Sequence, residues 1–230
     1  MKIKRNIAIN VVDNVNHLLD ITMIVLFAIV LLFAGYIVWD SYSVEVEALL
    51  VTNEFKVKQE EILNGEKVVG SITIDGTHID YPLMQGSDND WYLKHDYKDD
   101  YSIAGSIFLD YRNSLDDNYL VIYGHRMSGG AMFSDIGEYI DEGFYLAHKS
   151  ARLRLREILY EVKLLGYAEI SERDEVFYSI GNYSNDEIMD RFSALRRYGA
   201  EYDGGRLVLL STCDARRYSI RSVVLGEILE

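Results

Sequence analysis

Nineteen consecutive residues between Asp20 and Asp40, running from Ile21 to Trp39, carry no charge. At about 1.5 Å of rise per residue a helix of that length covers roughly 28 Å, close to the hydrocarbon thickness of a bilayer. The run therefore divides the chain into a part before a membrane span and a part after it. A cleaved signal peptide is the competing reading, but its apolar region typically extends over only about 7 to 15 residues and ends in a small-residue cleavage site. Here Tyr36 and Trp39 close the run as interfacial anchors do, so an uncleaved anchor is expected. Lys2, Lys4 and Arg5 precede it and Asp40, Glu45 and Glu47 follow it, a bias that places residues 1–20 in the cytoplasm and the remainder outside the cell. Removing the three basic and two acidic residues before the span from the totals of 23 and 37 leaves 20 basic and 35 acidic residues in the exported part. With no concentrated basic patch, that acidity excludes a nucleic-acid partner.

Beyond the span, residues 41–64 mix charges with Leu49, Leu50, Phe55, Ile62 and Leu63 and contain no Gly or Pro, a pattern that predicts a helix ending at Asn64-Gly65. Residues 40–65 form either a stalk or an N-terminal helix packed on the domain that follows. From residue 66 the rhythm changes to short β-like runs: 68–74, 78–83, 106–110, 119–123, 151–156, 159–170, 206–210 and 220–229. Asp75-Gly76 signals a two-residue hairpin between the first two. Eight strands predict a closed barrel or a sandwich, in a mostly β fold with helices. The box Ser184-Asn-Asp-Glu187, followed by Ile188, Phe192 and Leu195, predicts an amphipathic helix over 185–198, and Met132–Ile140 is a weaker helical segment.

A single Cys excludes an internal disulfide framework and a Cys-rich zinc site. Cys213 follows the apolar run Leu207–Leu210 at a strand exit. An odd thiol in an oxidising compartment is an intermolecular disulfide partner, a reactive nucleophile or a buried small hydrophobe. Its surroundings favour the nucleophile. Arg221 opens the last strand; if that strand pairs with the preceding one as a hairpin, a permanent cation comes beside the thiol, where it can lower the thiol pKa or stabilise an oxyanion. Arg216 and Arg217 fall inside the connecting loop and are less fixed. His125 follows Tyr123-Gly124 at another strand end, next to a Gly-rich loop, where an imidazole can serve as general acid and base. His17, His78, His95 and His148 have no comparable surroundings. No His/Cys spacing suits a metal, Asp99-Asp100 and Asp116-Asp117 read as solvated turns, and no cofactor is expected.

Taken together, Leu210-Ser-Thr-Cys213, Arg221 with Val223-Val224, and Tyr123-Gly-His125 resemble the sortases, membrane-anchored cysteine transpeptidases of Gram-positive bacteria. The resemblance covers residues 66–230. Asp80–Leu93, Gly105–Asn113 and Gly124–Phe133 are similar to class B segments, as are the N-terminal helix and the helix before the thiol strand. The resemblance implies an eight-stranded sortase-type barrel in which Cys213 attacks the Thr carbonyl of an Asn-Pro-x-Thr-like sorting signal on a surface protein. His125 would protonate the leaving amine and Arg221 would stabilise the oxyanion. An amino group of peptidoglycan or its lipid-linked precursor would accept the acyl group. It also implies peptide contacts from Ser211, Thr212, Tyr123 and Asn89, which otherwise read as strand-end hydroxyls, a core aromatic and a helix cap, and it makes the 185–198 helix one wall of the groove. Asp214, directly after the thiol, would raise its pKa against Arg221. A membrane-bound cysteine hydrolase, a pilin-polymerising sortase and a binding module with an inert Cys are the alternatives.

Overall fold

The structure, a computed structural model, describes residues 2–63, 65, 67–127, 129–213 and 219–229, and for Cys213 the backbone. The chain forms two compact units, Met1–Ser43 and Val44–Glu230. Helix α1 covers Lys2–Leu63, with non-helical dihedrals at Lys58, and its segment Asn14–Val44 is long and apolar enough to cross a membrane.

Within the second unit the end of α1 packs on the body: Phe55 is fully buried, Ile62 nearly so, and the Glu54 carboxylate accepts from Lys98 Nζ at 2.8 Å. The sequence left a stalk and a packed helix open, and for this stretch the helix is packed. It closes at Leu63, with the Gly65 N–H donating to the Ile62 carbonyl; Asn64 lies outside the described residues.

Eight strands follow: β1 Val68–Thr73, β2 Asp80–Met84, β3 Ile107–Leu109, β4 Tyr119–Gly124, β5 Ser150–Leu155, β6 Ile158–Ser171, β7 Arg206–Cys213 and β8 Ile220–Leu229. They close into a barrel in the order β1-β2-β3-β4-β7-β8-β6-β5, with β2–β3 and β4–β7 parallel and the other neighbours antiparallel. The β1–β2 turn is longer than the two residues expected, because pairing stops at Thr73↔Asp80 and Ile74 N–H closes the loop on the Ile79 carbonyl. Three short helices lie between strands: α2 Glu142–Ala147, α3 Glu175–Tyr178 and α4 Asn185–Leu195. The Ser184–Glu187 capping box starts α4 as read, although the helix stops three residues short of the expected end. The Met132–Ile140 segment is a 3-10 helix over Ser134–Ile140.

Burial explains why β7 reads as an unbroken apolar run. Side chains alternate across a strand, and both faces of this one are covered. Val208 and Leu210 fill the barrel interior with Ile72, Leu83 and Val224, whereas Leu207 and Leu209 pack outward with Val223, Leu225, Ile188 and Phe192 under α3 and α4. The ends of β4, β7 and β8 are thereby held between two cores.

Candidate active site

The strand register sets the site. Parallel pairing carries Tyr123 beside Ser211 and Gly124 beside Thr212, and antiparallel pairing makes Arg221 the Cα partner of Cys213. The hairpin argument for Arg221 therefore holds at backbone level; the connecting residues 214–218, with Asp214, Arg216 and Arg217, lie outside the described residues. At the end of β4 the chain must pass close to its neighbours, since a Cβ at Gly124 would sit 2.4 Å from Ile107 and 2.7 Å from Phe133. A side chain there would have to push the Ile107 and Phe133 side chains aside.

A cavity of about 280 Å³ opens at these strand ends. Six sequence candidates line it: Asn89, Tyr123, His125, Ser211, Thr212 and Arg221. His125 Nε2 lies 2.8 Å from the Leu93 carbonyl oxygen. A carbonyl only accepts, so Nε2 carries a hydrogen, and Nδ1 is the ring nitrogen that can gain and lose a proton in the neutral imidazole. Arg221 Nη2 donates to the Glu172 carboxylate at 2.9 Å, and Glu172 also lines the cavity. Thr212 is 2% exposed, and its hydroxyl has no hydrogen-bond partner among the described residues.

The outer wall departs from expectation. No α4 residue lines the cavity; the wall is made by Glu172, at the exit of β6, and by Tyr178 of α3, whose hydroxyl is 2.8 Å from Ser211 Oγ. Helix α4 instead supports α3 from behind, with Phe192 packed edge-on against Phe177 at 6.4 Å between ring centroids. Nor is Asn89 a helix cap. Asp88 Oδ1 accepts from the Trp91 N–H, while Asn89 Nδ2 donates to Asp110. Tyr123 is only half-buried and also donates to Asp110, at 3.0 Å. Burial and the adjacent Asp110 charge push the Tyr123 phenol well above its ordinary pKa, so it stays a neutral O–H donor.

Sequence reasoning missed Glu172, Tyr178 and the Asp110–Arg112 pair. A larger cavity, about 700 Å³, lies at the opposite end of β7, but its polar groups are engaged with backbone: Arg206 with the Leu115 and Asp117 carbonyls, Asn185 with those of Asn118 and Gly205.

No protein-family model matches the chain. Among curated proteins it is 31% identical over 191 residues to Sortase B of Listeria monocytogenes, covering 77% of each chain. The chain belongs to the class B sortases. Solved structures agree in fold. A Streptococcus pyogenes class B sortase involved in pilus biogenesis superposes with a TM-score of 0.69 at 28% identity, over 76% of this chain and all of that one. Clostridium perfringens sortase B gives 0.67 at 26%, over 75% of this chain and all of that one. This sortase is thus a transpeptidase built on the closed eight-stranded barrel.

Proposed function

We propose that this sortase cleaves a C-terminal sorting signal after Thr through a thioacyl intermediate on Cys213 and passes the protein to an amino group of peptidoglycan or its lipid-linked precursor. The observation that carries the reading is the Cys213↔Arg221 register at the mouth of a cavity that His125 also lines. The Cys213 sulfur attacks the Thr carbonyl carbon, and the Arg221 guanidinium, which cannot lose its charge, stabilises the oxyanion. As the C–N bond breaks, the leaving amine takes a proton from His125. The incoming amine then gives a proton to His125, attacks the thioester and releases the thiolate. Splitting one acyl transfer into two through a good leaving group is what a nucleophilic Cys contributes. Because Nε2 is held by the Leu93 carbonyl, Nδ1 carries the travelling proton both ways.

Ser211, Thr212, Tyr123 and Asn89 are assigned to peptide binding, supported by their place in the cavity wall. The apolar segment of α1 is assigned as a single-pass anchor with residues 1–20 cytoplasmic and the barrel outside, a tether that raises the effective concentration of a substrate held at the same membrane.

The test is peptide cleavage with and without an amine acceptor. Asn-Pro-x-Thr peptides should be cleaved faster when acceptor is present; an acceptor-independent rate would favour the hydrolase. Cys213→Ala should abolish the thioacyl species in mass spectrometry, and Arg221→Lys should be nearly as severe because the planar fork is lost. Turnover retained in either variant would overturn that residue's role. A pilus-assembly role is the second reading, favoured by the S. pyogenes neighbour, and a Lys side-chain amine outcompeting a peptidoglycan-type amine would select it.

A further inference from the structure

Asp110, just past β3, is fully buried and lies behind the cavity wall, yet its carboxylate accepts five hydrogen bonds. Oδ1 takes the backbone N–H and Nε of Arg112 at 3.0 and 2.9 Å. Oδ2 takes Arg112 Nη2 at 2.7 Å, Asn89 Nδ2 at 2.9 Å and the Tyr123 hydroxyl at 3.0 Å. Arg112 Nη2 reaches on to the Tyr178 carbonyl at 3.0 Å. One ion pair therefore ties together three cavity-lining residues from the 86–90 loop, β4 and α3.

An ionised carboxylate accepts and never donates. Tyr123 must therefore turn its O–H inward, and Asn89 must turn its amide nitrogen inward, while Asn89 Oδ1 is taken by the Tyr111 N–H at 3.0 Å. What is left for a ligand is lone pairs alone on the Tyr123 oxygen and, on Asn89, the second N–H beside one remaining lone pair of the Oδ1 that already holds the Tyr111 N–H. An extended peptide backbone offers one N–H and one C=O per residue, and needs one acceptor and one donor in return.

We propose that Asp110, paired with Arg112, is a positioning residue that sets the hydrogen-bond polarity of the cavity wall, presenting Tyr123 as acceptor and Asn89 as donor to the backbone of the bound sorting peptide. The inference rests on the peptide-binding reading of the cavity. It separates recognition from reactivity, since neither Asp110 nor Arg112 contacts His125 or Arg221 in any hydrogen bond among the described residues.

Asp110→Asn, whose amide can donate toward Tyr123 and Asn89, tests it. A site that hydrogen-bonds its ligand discriminates strongly when one partner is lost, so KM for the peptide should rise about tenfold or more, with kcat within about threefold. The rate of Cys213 alkylation by iodoacetamide should keep its wild-type pH profile, which a general disturbance of the site would shift. Independently, peptides carrying an ester in place of each amide in turn should lose affinity at one position in the wild type and show no further loss there in Tyr123→Phe. If Asp110→Asn does not fold, this ester scan decides alone. An unchanged KM in folded Asp110→Asn, or an ester scan with no position that Tyr123→Phe silences, overturns the inference while wild-type turnover stands. A wild-type protein that neither binds nor cleaves any sorting peptide overturns the peptide reading, and the inference with it.

Discussion

At the scale of single residues, Thr212 makes the sharpest demand. A buried hydroxyl left without a partner costs about 1–3 kcal/mol, and Thr212, whose hydroxyl has none among the described residues, is next in sequence to the proposed nucleophile. Thr212→Val removes the orphan at nearly constant shape. Its melting temperature should stay level or rise, while kcat/KM for the sorting peptide falls about tenfold, as expected when one hydrogen bond to the ligand is lost. Full activity in the valine variant would show that the hydroxyl does nothing for the peptide. Cys213, His125 and Arg221 were legible as candidates because their side chains carry chemistry and each stands at a strand end. Glu172, Tyr178 and Asp110 were not, because the contacts that bring them to the cavity are remote: Glu172 meets Arg221 across 49 residues, Tyr178 meets Ser211 across 33, and Asp110, beside its ion partner Arg112, meets Asn89 across 21. No local spacing rule reports such contacts.

At the scale of elements, the strands were legible from their apolar runs, and β7 proved longer than read. Ser211, Thr212 and Cys213 look like a strand exit by polarity, but β8 pairs with all three, so ladder hydrogen bonds extend the strand where side-chain pattern could not. Helix α4 was legible because its capping box is local, with Ser184 Oγ and the Glu187 carboxylate each bonding the other's backbone N–H. Its role as a groove wall was not, since four-residue α3 stands between it and the cavity, and one turn of helix leaves no periodicity to find. Ser184→Ala should lower unfolding free energy by roughly 0.5–2 kcal/mol in urea titrations. Because α4 supports the wall from behind, peptide KM should remain within about twofold as long as the variant is folded; a selective loss of peptide binding would return α4 to the groove.

For the molecule as a whole, the eight-stranded barrel was expected from the strand runs and the family resemblance, but the strand order and its two parallel pairings were beyond the sequence, because they depend on which strands become neighbours and not on any one strand. The attachment of α1 to the body is also a long-range matter, and it carries a pH signature. The hydrogen bond from Lys98 is the largest influence holding the Glu54 carboxyl down at about 2, against an ordinary value of 4.5. A depressed carboxyl stabilises the fold fully above its unfolded value and loses that contribution as pH falls through the folded one. Protection of the Val44–Leu63 amides in hydrogen exchange should therefore weaken between pH 4.5 and 2, and Lys98→Met should already be weakened at neutral pH and change little across that window. An identical acid profile in the two proteins would remove this ion pair from the attachment. The strand order has one further consequence, for timing. The groups assigned to the chemistry stand on β4, β7 and β8, and β7 reaches its place only between β4 and β8. A growing chain thus holds its histidine early, its thiol late and its arginine last. Until β8 has been made and has docked, Cys213 lacks Arg221 as its strand partner, so the proposed arrangement of thiol and cation waits on that last pairing.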